Sequence, residues 1–340
     1  MIVAHHYVVN SGLLELMYQQ TLDVNTSFLW IFGAWGKTAI NCFIFITGYF
    51  MSKSNITLTK YLKLLCQIIF YNTTIYFIFS ITGLEKLSFE DMLSYINPIK
   101  SVNNSFVSCY LLFFLFIPFI NILINNISQK QHLILIAICC FIYVILGSIM
   151  YFKIDLNYIS WFIVLYLISA YIRFYPNKHF KNTKLWGIAS IITLTISILS
   201  IFLMTIYSSV SNEYMAYFFV SDSNKIFAVS TAFSIFMLFI NLNIKYCKFI
   251  NLVGRSTFGV LLIHASSDTM RTWLWNDLLN NTSTINSDML IIHAVTSVIM
   301  VFSICIIIDV IRIELIEKPI LNKIDNKIDI SFNKYFIESR

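Results

Sequence analysis

Residues 289–308 read Met289-Leu-Ile-Ile-His-Ala-Val-Thr-Ser-Val-Ile-Met-Val-Phe-Ser-Ile-Cys-Ile-Ile-Ile308, a run without Lys, Arg, Asp, Glu, Gly or Pro. A helix of about twenty residues rises roughly 30 Å, the thickness of a hydrocarbon core. The pattern recurs. Residues 64–84, 101–129, 131–152, 156–172, 185–212 and 226–244 carry no acidic side chain, Lys or Arg. Residues 24–52 are interrupted only by Lys37, so 38–51 reads as a helix with an interfacial lysine at its outer end. Residues 252–267 form a shorter run containing Arg255 and His264. The first run, 2–14, is too short to span alone, and it lacks the basic start and small-residue cleavage site of a signal peptide. The simplest reading is a first helix that has lost its cytoplasmic half, through an upstream start or a truncation. The expected fold is therefore all-α, a polytopic transmembrane bundle of about ten helices.

Composition agrees. Of 340 residues, 58% are hydrophobic and 12% charged, against about 25% charged in soluble domains, and mean hydropathy is +0.76. This excludes an ordinary soluble domain, a disordered chain and a secreted disulfide scaffold. The seven cysteines form no CxxC and no Cys/His cluster, so they read as apolar packing residues, with no metal site. With the loops numbered in order, the odd-numbered side holds Lys37, Lys86, Lys100, Lys153, Lys225 and Arg271, and the other side holds the remaining 17 of 23 basic residues. The bias places that second side, and both termini, in the cytoplasm. The net charge of +6 is then a topology signal, and no nucleic-acid partner is expected. The longest loops, 15–37 and 85–100, and the tail after Asp309 are too short for a second core, which leaves one membrane domain over 1–320 and a short cytoplasmic tail over 321–340.

An ionisable side chain inside the bilayer is costly and defaults to a functional hypothesis. The prime candidate is the pair His5-His6. Counting nine residues from His6 to Glu15, taken as the outer end of the helix, puts His6 roughly 13 Å deep. Imidazole transfers protons near neutral pH and can carry an acyl group. The alternative is a neutral histidine donating to a neighbouring carbonyl. Adjacent helical residues point about 100° apart, so only one of the two faces a given cavity.

A second cluster is Asn41, suited to orienting an imidazole, with Thr47 and Gly48, where small size permits close helix packing. In the stretch 254–264, His264 lies near the outer surface, facing an acceptor or capping its helix. Arg271 follows, to pair with Asp268 or bind an acidic substrate. His293 is a weaker candidate, and His132 and His179 read as solvated loop residues. Asp309 and Arg312 satisfy each other at i,i+3. Lys53, Lys60 and Lys63 flank a cytoplasmic turn, either as positive-inside anchors or as holders of an anionic donor.

These segments together resemble the acyltransferase-3 family of bacterial multipass membrane proteins, specifically members that O-acetylate capsular or other cell-surface polysaccharides. Ile2-Val-Ala-His-His6-Tyr resembles the end of the family's Arg-x10-His motif, with the histidine at His6. Gly36-Lys-Thr-Ala-Ile-Asn-Cys-Phe-Ile-Phe-Ile-Thr-Gly-Tyr-Phe50 is similar to its Gly-x-x-x-(Asp/Asn)-x-Phe-x-x-x-Ser-Gly-Tyr segment. Ser105-Phe-Val-Ser-Cys-Tyr-Leu with Pro118 and Asn121, Tyr166–Arg173, Ser256–His264 and Ile316-Glu-Lys-Pro319 resemble later segments. Two features depart: the motif arginine would precede Met1, and Ser105 stands where the family has Trp. The cytoplasmic Arg-x-x-Arg is Lys60-x-x-Lys63 here, which keeps charge but loses bidentate geometry.

The resemblance implies an enzyme of the bacterial plasma (inner) membrane. Acyl-CoA, most simply acetyl-CoA, would dock on the cytoplasmic side near Lys60 and Lys63, as a donor substrate and not a bound cofactor. His6 would serve as general base or transient acyl carrier. Asn41, His5, Thr47, His264 and Arg271 would support it or face a sugar hydroxyl of a surface or capsular polysaccharide or its lipid-linked precursor. A polysaccharide flippase or polymerase, or another multipass transporter, is the rival reading. It would call for more helices, a large outer loop or paired half-helices.

Overall fold

The computed structural model describes residues 1–54, 56–100, 105–152 and 154–319. Lys153, the basic residues beyond Lys318 and the tail over 321–340 lie outside the described residues. The described elements are helices and turns, with no strand among them. They are α1 (Ile2–Val9), α2 (Leu13–Gln19), α3 (Val24–Phe32), α4 (Gly36–Met51), α5 (Leu58–Ile81), α6 (Phe89–Ile96), α7 (Phe106–Asn126) and α8 (Gln129–Cys140). There follow α9 (Tyr158–Phe174), α10 (Thr183–Ser211), α11 (Ile226–Asn241), α12 (Lys248–His264), α13 (Asp268–Thr272) and α14 (Leu290–Arg312). Each of the ten apolar runs contains helix among its described residues, the first as two short pieces. Val24–Met51, Leu58–Ile81, Phe106–Asn126, Gln129–Ser148, Thr183–Ser211 and Leu290–Glu317 are long and apolar enough to cross a membrane. Lys248–His264 and Asp268–Thr284 form a pair bent by 96°, and α9 and α11 are shorter apolar helices.

Three local expectations are corrected. The first run is not one helix to Glu15: α1 stops at Val9, and Gly12, at φ +80°, turns the chain into α2. A depth for His6 counted at 1.5 Å per residue across that break does not hold. The stretch 15–37 is not a plain loop either. Asp23 accepts from the Thr26 backbone N–H at 2.7 Å while Thr26 Oγ1 accepts from the Asp23 N–H at 2.9 Å, a reciprocal cap that starts α3. Finally, His132 is not solvated. It lies fully buried in the first turn of α8, with Nε2 donating to the Leu167 carbonyl at 3.0 Å.

The chain divides into two compact units. Unit 1 comprises 1–54, 119–244 and 280–295, and unit 2 comprises 55–118, 245–279 and 296–340. In unit 1, α4 is the central helix, flanked by α9, α11 and α1. Its contacts with α9 climb both helices together, from Lys37 with Tyr158, through Asn41 with Trp161, to Tyr49 with Arg173. The two helices therefore run parallel, as the second and sixth crossings of an alternating topology should. Gly48 permits that approach: a Cβ there would lie 2.1 Å from Ser169 Oγ and 2.9 Å from Tyr166 Cα. Helices α10 and α11 are antiparallel and joined by hydroxyls, Thr193 to Ser234 at 2.9 Å and Ser197 to Thr231 at 3.0 Å. Hydroxyl pairs of this kind join helices where lipid offers no alternative partner.

Unit 2 is organised around α5, α12 and the C-terminal end of α14. At the opposite end of α5, Tyr76 stacks on Tyr95 with ring centroids 4.5 Å apart, and its hydroxyl contacts the backbone of Lys86 and Ser88. This fixes α6 to the end of α5.

Candidate active site

In unit 1 two glycines lie opposite α1, Gly33 capping the end of α3 and Gly36 starting α4. A helix end leaves carbonyls without intrahelical partners. The Gly33 carbonyl, at the C-terminus of α3, accepts from His5 Nδ1 at 2.5 Å. A carbonyl only accepts, so Nδ1 bears the proton and, in the neutral ring, Nε2 is the lone-pair nitrogen. The Cδ2–Nε2 edge of the imidazole lies over Gly36, where a Cβ would meet the ring at 2.2 Å. His6 follows directly, its ring centroid 5.7 Å from that of His5. The next residue, Tyr7, is fully buried and pairs through its hydroxyl with His293 Nδ1 at 2.8 Å. Three successive aromatic side chains of α1 thus point in different directions, and two are pinned by defined partners.

His5 lines a cavity of about 480 Å³ together with Glu15, Tyr18, Lys37, Tyr214, Tyr217 and Ser221, among others. Its size falls within the usual range for small-molecule sites. Lys37 is held at one side by the Tyr158 hydroxyl at 2.8 Å and by Asp222 at 3.5 Å. Tyr217 donates to the Trp30 carbonyl at 3.0 Å, so that wall is fixed to α3.

Asn41 is fully buried one turn below Lys37. It donates to the Ser223 carbonyl at 2.7 Å and accepts from Trp161 Nε1 at 3.0 Å. Both ends of the amide are committed to these two groups, so it orients an indole and a loop and not an imidazole. Thr47 Oγ1 donates back to the Phe43 carbonyl at 3.0 Å. At the far end of α4, Arg173 donates to the Tyr49 hydroxyl at 3.0 Å, and Tyr166 donates to Asn121 at 2.7 Å. Sequence reasoning quoted these residues as motif positions without assigning them partners.

The other candidates belong to unit 2. His264 is fully buried, with Nδ1 donating to the Val260 carbonyl one turn back at 2.5 Å and its ring edge-on to Trp275 at 6.4 Å. Arg271 pairs with Asp268 at 2.7 Å. Near it, burial holds the Lys100 ammonium below the ordinary lysine value, and the Arg271 charge adds to that. The neighbouring Tyr95 hydroxyl, donating to Glu85 at 3.0 Å, is pushed up to about 12, first by burial and then by the Glu85 carboxylate. Lys60 and Lys63 lie in the first turns of α5, Lys60 exposed and Lys63 half-buried. Groups of His, Cys, Asp or Glu suited to a metal ion are absent among the described residues.

Six helices long and apolar enough to cross a membrane, with imidazoles and amides buried among the described helices, define a polytopic membrane protein. A family model described as an acyltransferase domain matches residues 1–310, and the chain belongs to that family, acyltransferase-3. It is a multipass membrane acyltransferase, moving an acyl group other than an aminoacyl group. No curated protein and no solved structure matches the chain.

Proposed function

We propose that the protein moves an acetyl group, or another short acyl group, from cytoplasmic acyl-CoA to a sugar hydroxyl of a surface or capsular polysaccharide or its lipid-linked precursor. We place it in a bacterial plasma membrane with both termini cytoplasmic. The observation that carries the site is the His5–Gly33 bond. A pinned His5 fixes the rotation of α1 and so presents the adjacent His6 about 100° around the helix. In this reading His6 takes the hydroxyl proton, the hydroxyl oxygen bonds to the thioester carbonyl carbon, the carbon–sulfur bond breaks, and the proton passes to the CoA thiolate. A transient acyl-imidazole reaches the same products in two transfers. The cavity is lined by His5 and not by His6; its Tyr18, Tyr214 and Tyr217 beside Glu15 and Ser221 offer ring faces and hydrogen-bonding groups suited to a saccharide, with His5 the supporting imidazole that faces it. Lys60 and Lys63 meet the donor phosphates from the cytoplasm, while Asn41 and Thr47 act within unit 1 as packing and positioning residues of α4.

The test is NMR of surface polysaccharide from cells lacking the gene, complemented with wild type, His6→Ala or His5→Ala. Acyl signals should vanish on deletion, return with wild type and stay absent with His6→Ala. Polymer that keeps its acyl groups but leaves the surface would instead favour the flippase or polymerase reading.

A further inference from the structure

Four polar residues meet inside unit 2 around Asp309, at the C-terminal end of α14, and the acyl-transfer reading leaves them without a role. Asp309 is fully buried and Arg312 nearly so. One carboxylate oxygen, Oδ1, accepts from Tyr71 at 2.7 Å, Arg312 Nε at 2.9 Å and Gln67 at 3.2 Å. Arg312 turns its other edge to Glu317, Nη1 to carboxylate 2.7 Å. In an α-helix, residues five apart point about 140° apart and do not meet. Here Ile313–Glu317 is a π-turn, whose wider winding brings positions i and i+5 onto one face. The motif residue Glu317 is thereby delivered to Arg312. The motif glycine Gly259 of α12 completes the packing: a Cβ there would fall 2.3 Å from the Asp309 carboxyl carbon. One carboxylate thus ties α5, α12 and α14 together.

What this node holds is α5, and α5 carries the two lysines assigned to the donor. Lys60, Lys63, Gln67 and Tyr71 occupy positions i, i+3, i+7 and i+11, which fall within about 80° of arc on a helix. The stripe that Asp309 grips at Gln67 and Tyr71 is therefore the stripe that displays Lys60 and Lys63, roughly 16 Å away along the axis from Tyr71 to Lys60. A helix gripped on one face at mid-length cannot rotate at its end without breaking those bonds. Asp309 Oδ1 and Arg312 are each bonded to more than one group, which offsets the cost of burying the charges, while Asp309 Oδ2 is buried without a hydrogen-bond partner among the described residues.

We propose that Asp309, with Arg312 and Glu317, is a positioning residue for the acyl donor, setting the rotation of α5 that presents Lys60 and Lys63. The inference rests on the donor assignment of those lysines. The experiment measures CoA and acetyl-CoA binding by calorimetry to the purified full chain in nanodiscs. The variants are Asp309→Asn, Tyr71→Phe, Lys60→Gln/Lys63→Gln, and Asp309→Asn or Tyr71→Phe in the lysine-less background. Asp309→Asn should weaken binding about tenfold and Tyr71→Phe threefold, and neither should weaken it further once the lysines are gone, because groups acting through one another are not additive. Equal effects in both backgrounds would overturn the inference, since a general loss of packing does not depend on the lysines. Unchanged binding in both Asp309→Asn and Tyr71→Phe, alongside weak binding in the lysine variant, would overturn it and leave the donor assignment intact. Unchanged binding in the lysine variant would remove the donor assignment itself, and the inference with it. Should Asp309→Asn fail to fold, Tyr71→Phe decides alone.

Discussion

The imidazole of His5 rests on Gly36 so closely that no side chain fits between them, while Nδ1 donates to the Gly33 carbonyl at 2.5 Å. One glycine gives the ring room and the other gives it a partner. They flank the break between α3 and α4, and the ring they hold belongs to the helix that carries His6.

Gly36→Ala should therefore act as a histidine mutation. The ring has to turn away from a Cβ, which costs the Gly33 bond, and overpacking of this kind costs about 1–3 kcal/mol. Acyl transfer should fall at least as far as in His5→Ala, with a lower unfolding midpoint. Gly254→Ala is the control, because nothing lies within 4 Å of the added carbon. Its midpoint should hold or rise slightly. Wild-type transfer by Gly36→Ala would sink the idea.

Asn41→Leu should unfold the neighbourhood more than it disables chemistry. It strands the Trp161 indole N–H and the Ser223 carbonyl, each at a cost of about 1–3 kcal/mol when buried and unpaired. Thermal unfolding in detergent checks this against Asn41→Asp, which keeps the acceptor for Trp161 and loses only the donor to Ser223. An unchanged midpoint in the leucine variant would show that the amide anchors nothing.

Gly48→Ala should separate α4 from α9. The nearest backbone atom, Tyr166 Cα at 2.9 Å, cannot swing aside as a side chain can. Loss of stability of about 1–3 kcal/mol is expected, and Ser169→Ala in the same chain should recover only part of it. Full recovery by the double variant would assign the whole clash to the Ser169 hydroxyl.

The Asp23 cap gives a pH-dependent effect with a definite sign. Its carboxyl is held below the ordinary carboxylate value, first by the Thr26 backbone N–H and then by the Thr26 hydroxyl. A depressed folded value stabilises fully above the unfolded pKa of about 3.9, and the contribution is lost as pH falls through the lower folded value. The midpoint gap between wild type and Asp23→Ala should stay constant from neutral pH down to about 5 and close in stronger acid. Caps of this type contribute about 0.5–2 kcal/mol. A gap that widens on acidification would contradict the assignment.

Much of the molecule was legible in the chain because a bilayer enforces a simple rule: a charge-free run of sufficient length has to be a helix. The long runs, the pairing of Asp309 with Arg312 and the packing role of Gly48 follow from spacing and residue type. The break at Gly12 and the helix at 24–32 were not legible at the same level. One depends on a single left-handed residue, and the other on an Asp–Thr cap that departs from the Ser/Thr–Glu pattern.

Partners were the larger gap. Nothing in the sequence says that Asn41 answers to Trp161, 120 residues later, or that His132 is buried against Leu167. Hydrophobic periodicity reports which side of a helix avoids water. In a chain apolar on nearly every side it does not report which neighbour that side meets. The sequence by itself determined the all-helical class, most of the long helices and the family chemistry, because those depend on hydropathy and local motif. Only the tertiary structure decided that Gly33 and Gly36 hold His5 and that a π-turn brings Glu317 to Arg312. Those contacts depend on backbone approach and winding, to which residue type alone is nearly blind.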